Sequence, residues 1–262
     1  MIALIAGRGA LPAELLARLP DRPLICAMAG SEPDMVEAEI TFRLEQFGSF
    51  LERLKAAQVT EVCMAGAVTR PQIDPTAIDA ATLPLVPVLQ GAIASGDDGA
   101  LRAVITILEQ SGFIVRAAHE IAPDLLMDEG IPTQVKPGEI DKSDATRASQ
   151  IAVAMSAADV GQACVVRAGQ AIAIETLFGT DWMLASLAAR PDEQGGVLFK
   201  APKSGQDRRA DLPTIGPATV EGAAMAGLSG IVLEARGVIV LDWEKVIAGC
   251  NRRGMFLWLR QG

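Results

Sequence analysis

Tyrosine is absent from this chain, histidine occurs once, and aromatic residues make up only 4% of it. The lone His119 excludes a multi-histidine metal centre. Cysteine is sparse too. Cys26, Cys63, Cys164 and Cys250 are widely scattered and form no Cys-x-x-Cys pair, which argues against a structural zinc site or a disulfide framework. Three of them fall in apolar, strand-like runs, where cysteine behaves as a small hydrophobe. Positive charge is in deficit. With 23 Lys and Arg against 32 Asp and Glu the net charge is −9, which argues against wholesale binding to nucleic acid or to an anionic bilayer. No run approaches the roughly 18 apolar residues of a membrane span, and the opening MIALIAGRG lacks the basic flank and apolar length of a secretion signal. The expectation is a soluble, cytoplasmic protein.

What the chain has in quantity is Ala, Val, Leu and Ile, within a 50% hydrophobic composition. That profile suits small-residue helices packed on sheets. Strands are predicted at Ile2–Ala6, Leu24–Met28 and residues 40–44, 61–67 and 113–117. They alternate with helical spacing from Pro12 onward and over residues 49–58, 84–94 and 99–110. Residues 123–143, rich in Pro, Gly, Asp and Glu, read as a domain boundary. Beyond it a helix over residues 144–158 precedes a hairpin around Gly169, then a helix over residues 182–189 that Thr180 or Asp181 would cap. Strands and helices alternate again to residue 259. The predicted fold class is α/β in two domains. An N-terminal Rossmann-like parallel sheet takes residues 1–130, and a C-terminal α/β domain with a mixed sheet takes residues 131–262.

Charged chemistry concentrates in residues 197–217, VLFKAPKSGQDRRADLPTIGP. A short apolar strand delivers Lys200 and Lys203 into a bend holding Gln206, Asp207, Arg208, Arg209 and Asp211. Such a cluster is either a solvated surface loop or a site for a polyanion, with cations against phosphate oxygens and a carboxylate to hold Mg²⁺ or orient water. At the other end of the chain, strand, Gly7-Arg8-Gly9 and a helix start present backbone N–H groups to an anion. Pro12 stands at the third glycine position of a dinucleotide fingerprint, so that fingerprint is incomplete. The strand ending at Gly66 should lie beside this turn, which makes Arg70 either a phosphate or uracil-side contact or a solvated turn residue. Asp97 and Asp98 precede a helix, where capping is the default reading. Glu120 follows His119 at a strand's end.

In order along the chain stand LIAGRGALP, AGAVTRP, GDDGALR, AAHE, DVGQ, ETLFGTD and KAPKSGQDRRADLPTIGPATV. This set resembles the DUF1009 family, the metal-dependent UDP-2,3-diacylglucosamine pyrophosphatases of lipid A synthesis in Gram-negative bacteria. The likeness covers essentially the whole chain, and its most specific part is the block from Lys200 to Gly216. It departs in carrying Ser204 after Lys203, which bears on the shape of that bend.

The resemblance implies hydrolysis to UMP and 2,3-diacylglucosamine 1-phosphate, with water attacking the sugar-side phosphorus and the lipid nucleotide held between two domains. It implies Mg²⁺ as cofactor, with Mn²⁺ as a substitute, transient contact with the inner-membrane surface, and a homodimer as one assembly. Its key carboxylate matches Asp211, and Lys200 and Lys203 join it as catalytic candidates. Gly7, Gly9, Ala10, Leu11, Gly66 and Arg70 are then expected on the substrate, as are Gln162, Thr180 and Thr214. Asp98, Glu120, Glu175 and Asp181 join Asp211 as metal-ligand candidates. The acyl chains need apolar cover, expected between the domains around residues 83–88 and 121–127. Two other readings stay open: a Rossmann-type oxidoreductase resting on the glycine turn, and a non-catalytic nucleotide sensor.

Overall fold

Apolar runs too short to stand alone pair side by side in the first half of the chain. They are β1 (Ile2–Ala6), β2 (Leu24–Met28), β3 (Ile40–Phe42), β4 (Glu61–Ala65) and β5 (Ile114–Arg116), in the order β3-β2-β1-β4-β5. Every pairing is parallel. Strands covered on both faces need near-continuous apolar sequence, and in β1 and β2 every residue after the first is buried. Helices α1 (Leu11–Arg18), α2 (Phe47–Ala56), α3 (Val86–Ala94), α4 (Asp97–Gln110) and the short α5 (Ala118–Ile121) connect the strands. Phe42 stacks on Phe50 at 3.9 Å, and Phe47 closes that corner of the core. Strand order reverses at β1, so ligands are expected at the carboxyl ends of β1 and β4.

The computed structural model describes residues 1–94, 97–191, 194–209 and 211–262, with the side chains of residues 92–94, 97 and 98 outside that description. The chain divides into two units. Unit 1 is Met1–Pro123 together with Asp207–Asp211, and unit 2 is Asp124–Gln206 together with Leu212–Gly262. From the sequence the division was placed after residue 130, with the whole of residues 197–217 on its far side. The segment Asp207–Asp211 instead counts with unit 1, where Arg209 bonds Glu109.

Unit 2 opens with α6 (Glu139–Ala157), five residues longer at its start than the spacing predicts, because Asp141 Oδ2 accepts from Gly138 N and closes the first turn. The hairpin β6 (Ala163–Arg167) and β7 (Gln170–Ile174) follows, then α7 (Gly179–Ser186) and β8 (Val197–Lys200). After β9 (Thr214–Ile215) come α8 (Pro217–Met225), β10 (Gly230–Glu234), β11 (Ile239–Val240), α9 (Trp243–Arg252) and β12 (Phe256–Arg260). The sheet runs β12-β10-β8-β6-β7 and is mixed, parallel from β12 to β8 and antiparallel across β6 and β7. β9 and β11 form a separate parallel pair. Among the described residues no helix is long and apolar enough to cross a membrane.

Candidate functional site

In unit 1 the carboxyl ends of β1 and β4 interlock. Gly7 N donates to Ala65 O at 2.8 Å, and Arg8 and Ala67 exchange both backbone bonds at 2.9 Å. A Cβ on Gly7 would lie 2.4 Å from Ala67 O, and one on Gly66, whose φ is +94°, would lie 2.7 Å from Gly7 O. Only glycine fits at either place. The turn then feeds α1, where Ala10 stands at the N-cap and Leu11 is the first helical residue. Its N–H groups are not all open to a ligand, since Gly9 N donates to Asp34 Oδ2 at 2.7 Å. A phosphate at this turn must share or displace that carboxylate. Thr69 N is tied to Ser31 Oγ, and the exposed Arg70 follows.

Glu120 lies elsewhere. Its Oε2 accepts from Ala117 N and from Arg116 Nε, and Arg116 also pairs with Glu61, the first residue of β4. The backbone bond from Ala117, ahead of the Arg116 guanidinium, holds its carboxyl below the usual range. Glu120 thus caps α5 and joins the amino end of β4, away from the glycine turn at the carboxyl end. His119 Nδ1 is buried with no hydrogen-bond partner among the described residues. Burial, then the nearby Arg208, pushes its pKa below the ordinary value.

The presence of Arg208 there reflects how residues Asp207–Asp211 are pinned. Arg209 grips Asp207 with a two-toothed fork, Nε to Oδ1 at 3.0 Å and Nη2 to Oδ2 at 2.7 Å. Its Nη1 reaches Glu109 Oε1, on the last turn of α4, at 2.5 Å. The Asp207 carboxyl is held below its ordinary range chiefly by that guanidinium. Asp211, half-buried, donates its backbone N–H to Asp207 O at 3.4 Å.

Unit 2 gathers five of the sequence candidates into one network. Lys200, the last residue of β8 and only 8% exposed, donates to Thr180 Oγ1 at 2.8 Å and to Thr214 O at 3.1 Å. Thr180 Oγ1 in turn donates to Glu175 Oε1 at 2.6 Å, and Gln162 N donates to Glu175 Oε2 at 2.8 Å. The approach of β7's end to this corner requires Gly161, where a Cβ would meet Glu175 O at 2.4 Å. Thr180 is therefore not the helix cap expected from sequence. α7 begins at Gly179, three residues before the expected start, and the hydroxyl points to the lysine and the carboxylate. Lys203 takes a different partner, Asp159 Oδ1 at 2.5 Å, so the two lysines serve separate acceptors. Asp159, Arg209 and Glu109 carried no signal in the sequence that marked them as these partners.

Among the described residues the metal-ligand candidates do not assemble. Both oxygens of Glu175 accept hydrogen bonds inside its network, Glu120 caps α5, and Asp181 is exposed on α7. Asp98's side chain lies outside the described residues. Among the described residues no three of His, Cys, Asp or Glu gather as metal ligands. This donor set does not fit a preformed Mg²⁺ cage. Of the expected apolar lining, Ala122 and Leu125 are ordinary buried core and Met127 packs against the unit 2 core. Val86 instead lines a cavity of about 470 Å³ within unit 1, together with Leu44, Ile73, Ile78, Leu89 and Arg70.

Comparison with known proteins now bears on these groups. Family models for the LpxI N-terminal domain and the LpxI C-terminal domain match residues 1–125 and 128–258. The UDP-2,3-diacylglucosamine pyrophosphatase LpxI of Caulobacter vibrioides is 36% identical over 277 residues, covering 98% of this chain and 96% of that protein.

Proposed function

Since this chain belongs to the LpxI family through both of its units, we infer that it hydrolyses the pyrophosphate of UDP-2,3-diacylglucosamine to UMP and 2,3-diacylglucosamine 1-phosphate. The observation that carries this reading is the match, over 98% of the chain, to a relative named for that activity. The buried Lys200–Thr180–Glu175 network supports it, because a fixed ammonium is what a diphosphate undergoing attack requires.

In the proposed reaction a water oxygen attacks the sugar-side phosphorus. The bond from that phosphorus to the bridging oxygen breaks, UMP leaves with the bridging oxygen, and the water's protons pass to the departing phosphate and to solvent. Asp211 would orient the water, Lys200 and Lys203 would offset phosphate charge, and the Gly7–Gly9 turn with Arg70 would meet the UMP side. Mg²⁺, or Mn²⁺ in its place, belongs to the proposal as a companion of the diphosphate, and no step is drawn through it. Metal removal by chelation is expected to stop UMP release, and readdition to restore it.

The test is direct. Purified protein given UDP-2,3-diacylglucosamine in ¹⁸O water should release UMP and sugar phosphate in equal amounts, with the label in the sugar phosphate. Absence of UMP overturns the function, and label in UMP overturns the site of attack. Asp211→Asn is expected to bind substrate but to lose about 10²-fold or more in kcat, and near-normal turnover would remove Asp211 from the mechanism. Peripheral contact with a membrane surface is part of the same proposal, supported by Leu177, Phe178 and Trp182, which are 80%, 66% and 56% exposed on one turn of unit 2. A homodimer is a further part, which the mass in solution would test.

A further inference from the structure

Residues 201–213 join β8 to β9, and among the described residues of that stretch no strand or helix forms. No ladder of backbone bonds therefore fixes where Asp211 stands. Gln206 and Leu212 count with unit 2, yet Asp207–Asp211 counts with unit 1. We propose that Arg209 is a positioning residue, which seats this segment on α4 through Glu109 and so sets the place of the Asp211 carboxylate. The proposal rests on the pyrophosphatase reading, with Asp211 orienting the water.

Three observations carry it. The first is that the guanidinium is already committed. Its Nε and Nη2 meet the two oxygens of Asp207 at 3.0 and 2.7 Å, and its Nη1 meets Glu109 Oε1 at 2.5 Å. Two carboxylates outweigh its single charge, so little of that charge is left for a phosphate. Arg209 therefore acts on another residue and not on the substrate.

The second is what the fork holds. Asp207 Oδ1 also accepts from Arg209 N at 3.0 Å, and Asp207 O accepts from Asp211 N at 3.4 Å. The clasped residue is thus bonded to the backbone of Asp211 itself, and a shift in one carries to the other. The third is the anchor. Glu109 stands on the last turn of α4, and Ile105 and Leu108 of that helix are packed in the unit 1 core. A partly exposed ion pair adds little to stability, whereas misplacing a catalytic group by about 1 Å can cost about 10²-fold in rate. The latch accordingly matters to turnover far more than to folding.

Glu109→Gln cuts it from the α4 side and Arg209→Gln from the segment side, so steady-state kinetics on both and on the double variant tests this. The expected fall in kcat is about tenfold in Glu109→Gln and up to about a hundredfold in Arg209→Gln. KM should stay within about threefold of wild type and the urea midpoint should hardly move. The double variant should be no worse than Arg209→Gln, because without the guanidinium Glu109 has nothing to hold. A kcat within about twofold of wild type in both single variants would overturn the proposal. Losses that multiply in the double variant would also overturn it, since the two residues would then act separately. A raised KM with kcat kept would give Arg209 to substrate binding, and a urea midpoint falling in step with kcat would give it to the fold alone. Either result removes the positioning role, as does near-normal turnover in Asp211→Asn, which would leave the latch nothing to aim. Failure of the wild type to release UMP would instead bring down the pyrophosphatase reading, and this inference with it.

Discussion

Thr180 carries no charge and sits in a helix's first turn, yet its hydroxyl links Lys200 to Glu175. A buried ammonium that loses an acceptor is left with a desolvation cost of about 1–3 kcal/mol. Thr180→Val keeps the shape and removes the hydroxyl, so kcat is expected to fall tenfold to a hundredfold. Thr180→Ser should recover most of it. Steady-state kinetics on both variants checks the point, and equal loss in both would show that only packing was disturbed. Glu45 gives a second prediction at the same scale. The Arg43 guanidinium, with Asp74 N assisting, holds its carboxyl down to about 2 from an ordinary 4.5. A depressed folded pKa means that the carboxylate's contribution is complete above about pH 4.5 and is lost as pH falls towards 2. Thermal melts should therefore show wild type losing more stability than Glu45→Gln between pH 5 and 2. Parallel curves would show that the pair adds nothing. The cysteines behave as the composition suggests. Burial pushes Cys26, Cys63 and Cys164 up to about 12 and Cys250 to about 11, so these thiols stay protonated at neutral pH.

Between elements, the tightest constraint is the crossing of β1 and β4 at Gly7 and Gly66. Gly66→Ala would put a Cβ 2.7 Å from Gly7 O on backbone already at positive φ, which costs roughly 1–3 kcal/mol. A lowered urea midpoint with unchanged slope is expected, and an unchanged midpoint would mean that the turn relaxes freely. How much of this was legible follows from the same physics. β1 and β2 were readable to the residue because doubly covered strands must be continuously apolar. β9 was not, since two residues cannot display a period. The start of α7 was misplaced because Thr180 followed by Asp181 looks like a cap, and only tertiary structure shows the hydroxyl aimed at Lys200. Lys203 with Asp159, and Arg209 with Glu109, meet across 44 and 100 residues, and no local pattern encodes such pairs. The likeness of the Lys200–Gly216 block to a family directed attention to that stretch. It could not say that Asp207–Asp211 counts with one unit and Lys200 with the other.

At the scale of the whole molecule, a net charge of −9 meets a substrate that is a lipid. A net charge of that sign gives no general attraction to anionic headgroups, so an apolar contact is expected. Leu177, Phe178 and Trp182 stand exposed on a single turn, with the Phe178 and Trp182 rings 5.2 Å apart. Bulky apolar and aromatic side chains displayed together mark interaction surfaces, and tryptophan favours the bilayer interface. Leu177 and Phe178 lie between Glu175 and Thr180, two members of the Lys200 network, so insertion there would bring the site to the lipid. Vesicles of purely zwitterionic lipid should accordingly bind the protein, and neither added salt nor anionic lipid should strengthen the binding. Brominated chains should quench Trp182, the exposed member of the three tryptophans. Leu177→Asp with Phe178→Asp should weaken vesicle binding at least tenfold and raise KM for substrate presented in vesicles, leaving KM for a detergent-dispersed short-chain substrate less affected. Binding that instead grows with anionic lipid and collapses in salt would place the contact on a basic patch elsewhere. Loss of a dimer in the double variant, with vesicle binding intact, would give this turn to a second copy of the chain.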